Sequence, residues 1–286
     1  MKKYFVVSDI HSFYTPLKKA LKKKGFKVNN KNHILVVLGD VFDRGNETLE
    51  VYKFLKSIPD DRLVLIKGNH ESLYEELLKS DFPSKYDFKN GTVKTFCSIA
   101  NIDQKFLDTS YWHISNVISS SNGDGGEIVD INSKVVEYWN IVVDKVKSSE
   151  VTKWIQSKKW INYLETPNYI FVHSYIPLQA KVDTAKWYIE YIGYREDWRN
   201  ATPTEWEDAT WVCPWALAKE GYNKTGKTIV CGHWHTSDFF NNLTKQKKSK
   251  YDCPIFKSKR YKLIGLDACT IMSDEVNVLI LKEDEL

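Results

Sequence analysis

Short apolar runs alternate with amphipathic segments along the first quarter of the chain. Three continuous apolar runs have the length of strands: Tyr4–Val7, Ile34–Leu38 and Leu63–Ile66. Such runs are typical of strands that are buried on both faces. The segment TPLKKALKKKGF has the spacing of a helix, with Pro16 near its start and Gly25 past its end, and a second helix is predicted over 47–56. The order β-α-β-α-β predicts an α/β fold.

The same strand pattern returns in the second half of the chain. Tyr169–Val172 and Thr228–Cys231 are predicted as strands, and two further runs, Tyr261–Leu266 and Val276–Leu281, are predicted to close a second sheet or its edge. Between the two sets, the chain is rich in tryptophan, has helical periodicity from about Lys134 to Tyr163, and contains the turn-forming segment SSSNGDGGE at 119–127. We therefore predict one domain over 1–286, with a helical lid or insertion at about 97–165 over the strand ends.

Polar side chains follow five of the predicted strands, at the point where each strand ends. The motif GDVFDRG at 39–45 alone could be a turn with a surface ion pair. In open α/β sheets, however, ligands bind at the carboxyl ends of strands, so five such ends can form one site. The residues concerned are aspartates, histidines and one asparagine: Asp9, His11, Asp40, Asn69, His173, His233 and His235. Beside them lie Asp43, Arg44 and His70.

Composition and charge exclude few classes of protein function. The 286 residues include 41 basic and 37 acidic ones, a net charge of +4, which does not indicate a nucleic-acid-binding protein. The opening MKKYFVVSD has only four apolar residues in a row, too few for a signal peptide or a membrane span, so we expect a cytoplasmic protein without membrane contact. Five cysteines without a CxxC pair suggest neither a disulfide framework nor a structural zinc site.

The donor set at the strand ends predicts a metal centre. Carboxylate, imidazole and amide ligands without cysteine suit divalent ions such as Mn²⁺, Fe²⁺ or Zn²⁺. Seven candidate ligands are too many for one ion, but they are enough for two if one carboxylate bridges, and Asp40 is the predicted bridge. Two ions about 3.5–4 Å apart are the usual arrangement for hydrolysing phosphate esters. We expect two divalent ions, with Mn²⁺ preferred.

Five motifs carry a resemblance to a known family. The segments DIH, GDVFDRG, GNHE, VH and GHWH, in this order, resemble the calcineurin-like metallophosphoesterases. The FDRG and GNHE forms resemble the phosphoprotein phosphatase family, most closely its bacterial and bacteriophage members. Asn90-Gly91 and Gly265–Ala268 extend the likeness. The resemblance implies a two-sheet β-sandwich flanked by helices, with a helical insertion.

The resemblance also implies which residues bind the metal ions. One ion would be held by Asp9, His11 and Asp40, and Asp40 would be shared with a second ion held by Asn69, His173 and His233. His235 departs from most phosphatases of this type. The GH-x-H form belongs to the wider superfamily, which includes nucleases and phosphodiesterases, and the imidazole of His235 would be a supplementary ligand of the first ion.

Catalytic roles follow from the same resemblance. Arg44 would hold the outer phosphoryl oxygens, Asn69 would also contact the substrate, and His70, oriented by Asp43, would protonate the departing alkoxide. Related phosphatases place a second phosphate-binding arginine between the fourth and fifth motifs. In that interval Arg199 is the predicted candidate, and Arg195 is expected to pair with a neighbouring acidic residue.

The predicted activity is the hydrolysis of phosphomonoesters. By resemblance, the substrate is a phosphoserine or phosphothreonine protein, with a small phosphoester also possible. The GH-x-H form leaves an alternative open, a nucleotide phosphodiesterase or a dinucleoside-polyphosphate hydrolase. A catalytically silent binding module should have lost metal ligands, and this chain keeps all of those expected. The sequence makes no prediction about the oligomeric state.

Overall fold

The computed structural model describes residues 1–105, 107, 133–183 and 188–286. The strands are Lys3–Val7 (β1), His33–Val37 (β2), Leu63–Ile66 (β3), Trp160–Ile161 (β4), Tyr163–Glu165 (β5), Tyr169–Val172 (β6), Gln179–Asp183 (β7), Tyr188–Gly193 (β8), Thr228–Cys231 (β9), Phe256–Ser258 (β10), Leu263–Gly265 (β11) and Leu279–Lys282 (β12). Ten of the twelve belong to two five-stranded sheets, and β7 pairs with β8 in a separate hairpin.

Helices flank both sheets. Within the described ranges the α-helices are Tyr14–Lys23 (α1), Thr48–Lys56 (α2), Asn69–Leu77 (α3), Lys85–Asn90 (α4), Thr92–Ala100 (α5), Ser133–Ser148 (α6), Glu150–Ser157 (α7), Pro203–Trp211 (α8), Pro214–Lys219 (α9), Thr236–Leu243 (α10) and Thr270–Ser273 (α11). None of the helices in these ranges is long and apolar enough to cross a membrane.

The two sheets are largely parallel in their centres. The first has the order β12-β1-β2-β3-β4, in which only β12 is antiparallel to its neighbour, and the second has the order β10-β11-β9-β6-β5, with antiparallel strands at both edges. One buried cluster takes side chains from both sheets, among them Val36 and Ile66 from the first and Phe171 and Val230 from the second. This is the core of a β-sandwich, and it confirms the predicted two-sheet α/β fold.

The predicted strands are found within a few residues of their expected bounds, but one predicted helix ends too late. Helical periodicity extends to Tyr163, whereas α7 ends at Ser157 and the chain then forms β4 and β5. Trp160 pairs with Leu65 and Ile161 with Ile66, so β4 extends the first sheet. Backbone hydrogen bonding to β3 therefore overrides the local pattern at this point.

The described helices of the predicted insertion pack on the outer side of the first sheet. Trp139 of α6 stacks on Phe96 of α5 with ring centroids 5.8 Å apart, and Trp154 of α7 lies edge-on to Tyr52 of α2 at 5.7 Å. All four aromatic residues belong to one buried cluster that also contains residues of β1 and β2. The segment 119–127 lies outside the described residues, and a lid over the strand ends stays a prediction.

Candidate active site and metal centre

The loops that follow the strands hold their polar residues in a strained backbone conformation. Positive φ angles occur at Asp9 (51°), His11 (47°), Asp40 (54°), Asp43 (75°) and His233 (65°). The left-handed region is uncommon for residues other than glycine, and it persists only where the surrounding structure determines it strongly. Five such residues at the ends of β1, β2 and β9 indicate that these loops are shaped for a site.

Asp40 is the centre of this site. Its Oδ2 atom lies 3.5 Å from His11 Nε2 and 3.9 Å from His70 Nε2, and its Oδ1 atom lies 3.4 Å from His173 Nε2. Two groups of potential metal ligands result, His11 with Asp40 and His70, and Asp40 with His173 and His233, each with ligand atoms within 4.8 Å of one another. The carboxylate of Asp40 is the member that both groups share.

Backbone carbonyls orient the imidazoles toward this centre. His11 Nδ1 donates to Phe42 O at 3.0 Å, and His173 Nδ1 donates to Leu38 O at 2.6 Å. A carbonyl can only accept a hydrogen bond, so Nδ1 of each ring carries a proton and Nε2 is the nitrogen that faces Asp40. Metal-ligating histidines are usually oriented in this way.

His173 is in contact with two other predicted metal ligands. Its Nε2 atom lies 2.9 Å from Asn69 Oδ1 and 3.2 Å from His233 Nδ1. Burial, followed by the neighbouring His173, lowers the pKa of His233 to about 3, and burial likewise lowers the pKa of His11 well below its ordinary value. Neutral imidazoles with free lone pairs are the form that metal ions bind.

A further buried carboxylate, that of the predicted ligand Asp9, lies near the centre but belongs to neither of the two ligand groups in the described ranges. Asp9 is 1% exposed and accepts a hydrogen bond from the hydroxyl of Ser8. It also accepts a hydrogen bond from the backbone N–H of His233, which lies 3.1 Å from Oδ1 and 3.0 Å from Oδ2. Burial, then the charges of Asp267 and Asp40, raise the pKa of Asp9 well above its ordinary value. In the described parts of the chain no lysine or arginine forms an ion pair with these carboxylates, so the donor set fits a bound divalent cation.

A second set of contacts joins the three residues predicted to act on the phosphoryl group. His70 Nδ1 lies 2.7 Å from Asp43 Oδ2, and Arg44 donates from an Nη2 atom to His70 Nε2 at 3.1 Å. The hydroxyls of Thr92 and Thr95 donate to Asp43 at 2.8 and 2.7 Å, so every oxygen of this buried carboxylate has a partner. Burial lowers the pKa of His70, but Asp40 and Asp43 outweigh burial and raise it overall.

Two supporting residues were not assigned a role from the sequence. The buried carboxylate of Glu71 accepts backbone N–H groups from Asp40 and Val41 at 2.9 Å and from Gly68 at 2.8 Å, which ties the loop after β2 to the loop after β3. Lys94 Nζ donates to the carbonyl of Arg44 at 2.9 Å. The GNHE motif contained the signal for Glu71, but its partners are distant in the sequence.

Two predicted site residues are not brought into these contacts. His235 precedes α10 and is half-buried, and it belongs to neither of the two ligand groups in the described ranges. Arg199 donates to both carboxylate oxygens of Glu165, at 2.7 and 2.6 Å, and its guanidinium lies over the ring of Trp198. This geometry does not support phosphate binding by Arg199. Arg195, as expected, pairs with a neighbouring acidic residue, Asp197.

Residues 2–237 match the family model for calcineurin-like phosphoesterases. The chain belongs to the calcineurin-like phosphoesterase family. The family resemblance carried by the five motifs is thereby confirmed, as is hydrolase chemistry at the level of the family.

Relatives with curated names match only part of the chain. A symmetrical bis(5'-nucleosyl)-tetraphosphatase of Buchnera aphidicola subsp. Acyrthosiphon pisum is 41% identical over 71 residues, 25% of this chain and 24% of that protein. The asymmetrical bis(5'-nucleosyl)-tetraphosphatase PrpE of Oceanobacillus iheyensis is 26% identical over 130 residues, 39% of this chain and 52% of that protein. The matched part thus spans about a quarter of the length of the first relative and about half of the length of the second.

The fold itself is found in solved structures. A structure of a cold-active protein tyrosine phosphatase superposes with a TM-score of 0.51 at 16% identity, over 99% of this chain and 75% of that one. At this identity the likeness concerns the fold alone.

Proposed function

We propose that this calcineurin-like phosphoesterase hydrolyses dinucleoside polyphosphates. The observation that carries the hydrolytic chemistry is the position of Asp40 between two groups of imidazoles, beside the His70–Asp43 pair and Arg44. The substrate class is supported by the two matched relatives, which are named as bis(5'-nucleosyl)-tetraphosphatases. Of the two activities predicted from the sequence, the alternative is therefore favoured over the protein phosphatase.

The ligand set proposed for the metal ions is based on the two groups around Asp40, with Asp9 added from the family resemblance and His70 assigned to proton transfer instead. Asp9, His11 and Asp40 would hold one divalent ion, and Asn69, His173 and His233, with Asp40, would hold the other. Nitrogen and oxygen donors without sulfur suit Mn²⁺, Fe²⁺ or Zn²⁺. Such ions lower the pKa of a bound water and neutralise phosphoryl oxygens. His235 remains a proposed supplementary ligand.

The chain's own residues then bind the phosphoryl group and move a proton. Arg44 offers a planar donor group at the edge of the centre, and its contact with His70 Nε2 would be exchanged for a phosphoryl oxygen. His70, held at Nδ1 by Asp43, can then present Nε2 to the leaving group as a proton donor. The leaving group of a phosphoanhydride is a phosphate oxygen, which is less basic than an alkoxide and needs this proton less.

A second candidate is the hydrolysis of phosphoserine or phosphothreonine. The observation that favours it is the complete His70–Asp43 pair, because an alkoxide leaving group depends on a general acid more than a phosphate does. The motifs FDRG and GNHE are common to both candidates, so they do not decide between them.

The test is a substrate comparison with the purified full chain in the presence of Mn²⁺. Diadenosine tetraphosphate, a phosphoserine peptide and bis-p-nitrophenyl phosphate are compared by kcat/KM, and Asp40→Asn is the matched inactive control. We expect the highest kcat/KM for the dinucleoside, with activity lost on chelation. Chromatography of the products, two ADP or AMP with ATP, would show which anhydride bond is cleaved. A clear preference for the phosphopeptide would replace this proposal by the second candidate.

A further inference from the structure

An exposed indole stands at the edge of the candidate metal centre. Trp211, the last residue of α8, is 47% exposed. Its ring centroid lies 6.1 Å from that of His233, with the planes at 86°. Other tryptophans of the described chain, such as Trp139 and Trp198, are fully buried. A large aromatic face open to solvent beside a potential metal ligand is a common feature of ligand sites.

The backbone around this indole is held to the site by hydrogen bonds from the loop that follows β6. Ser174, which follows His173, donates its hydroxyl to Val212 O at 2.6 Å, and the backbone N–H of Tyr175 donates to Ala209 O at 3.3 Å. The backbone that carries the indole is therefore fixed by residues that directly follow a potential metal ligand.

A second indole also borders His233. The ring of Trp234 lies 6.4 Å from that of His233, and the half-buried Trp215 packs edge-on against Trp234 at 6.4 Å. The side of the centre formed by His233 is thus aromatic, whereas the side formed by His70 borders the cation of Arg44. An elongated molecule with an anionic part and an aromatic part would match this polarity.

We infer that Trp211 is a stacking platform for a nucleobase of the substrate whose phosphates bind at the Asp40 centre. Bases stack on exposed aromatic side chains regardless of their sequence identity, because every base has a π face. Because the indole contacts the ring of His233, a potential metal ligand, a base stacked on it would lie next to phosphates bound at the centre. The inference rests on the proposed function and adds the group that selects nucleotides over other phosphoesters.

The test is equilibrium binding of ADP and of pyrophosphate by calorimetry, with the Mn²⁺-loaded full chain. Trp211→Ala should weaken ADP binding by roughly 5- to 150-fold, the range measured for loss of one stacked base, and should leave pyrophosphate binding unchanged. Trp211→Phe, which keeps an aromatic face, should restore most of the ADP affinity. Tyr251→Ala is the matched control, because it likewise removes an exposed aromatic side chain, 69% accessible, which in the described parts of the chain makes no ring contact with a residue of the centre.

Two outcomes would overturn the inference. Unchanged ADP binding in Trp211→Ala would show that the indole does not contact the base. An equal loss for ADP and pyrophosphate would show that the substitution disturbs the phosphate site, and manganese content measured on the same samples would identify that disturbance. Failure of the wild-type protein to hydrolyse diadenosine tetraphosphate would refute the proposed function instead, and the ADP binding data would still decide the role of Trp211.

Discussion

Replacing Asp43 by asparagine removes the negative charge of this side chain and nearly preserves its shape. The buried carboxylate accepts hydrogen bonds from His70 Nδ1 at 2.7 Å, Thr92 Oγ1 at 2.8 Å and Thr95 Oγ1 at 2.7 Å. In Asp43→Asn, the amide oxygen can keep the bonds to His70 and Thr92, and the amide nitrogen can donate to the hydroxyl oxygen of Thr95. We therefore expect the variant to fold, with a loss of about 1 kcal/mol in the free energy of unfolding.

The loss of charge determines the expected effect on catalysis. Hydrogen bonds to charged groups contribute about 1.5–3 kcal/mol and neutral ones about 0.5–1.5 kcal/mol. The substitution should therefore destabilise the imidazolium form of His70 by about 1–2 kcal/mol. The pKa of His70, which Asp40 and Asp43 raise in the native protein, moves down accordingly. A proton transfer that depends on this group should slow roughly 5- to 30-fold.

The assay compares two leaving groups at saturating substrate. An alkyl phosphoester needs a proton donor and should show the full decrease in kcat, whereas an aryl ester with a p-nitrophenolate leaving group should show little. Thr92→Val serves as the control, since it removes one hydrogen bond and keeps the charge of Asp43. An equal decrease for both leaving groups would refute the reasoning and assign Asp43 to substrate or metal binding.

Three further changes test other parts of the site. Asp40→Asn should lower the divalent metal content, measured by mass spectrometry, from two ions per chain, and an unchanged content would exclude a bridging role. Gly232→Ala should lower both melting temperature and metal content, because the added methyl group would overlap the Asp9 carboxylate; native values would show that the loop adapts. Arg199→Ala should leave kcat/KM unchanged and cost at most about 1 kcal/mol of stability, and a fall in kcat/KM would restore the phosphate-binding role. The hydrogen bond from Arg199 is the main cause that lowers the pKa of Glu165 from 4.5 to about 2, so the pair stabilises the native state above pH 4.5 and less as the pH falls toward 2. Acid titration of the variant should show a smaller loss, because Lys227 still pairs with Glu165.

The sequence by itself determined the strands and the polar residues that follow them. A strand buried on both faces requires a continuous apolar run, and a polar residue directly after it, such as Asp40 after β2 or His173 after β6, is then placed at the edge of the sheet. These are local properties of a few residues. For that reason the α/β fold and the candidate ligands could be predicted without coordinates.

Only the tertiary structure decided which partner each side chain has. Arg199 and Glu165 are 34 positions apart, and Glu71 binds backbone groups 30 and 31 positions away, so neither pairing leaves a local pattern. Helical periodicity likewise could not foresee β4, because Trp160 pairs across the sheet with Leu65. A side chain with several potential partners binds the one that the fold brings within hydrogen-bonding distance, and that distance is set by the packing of the two sheets.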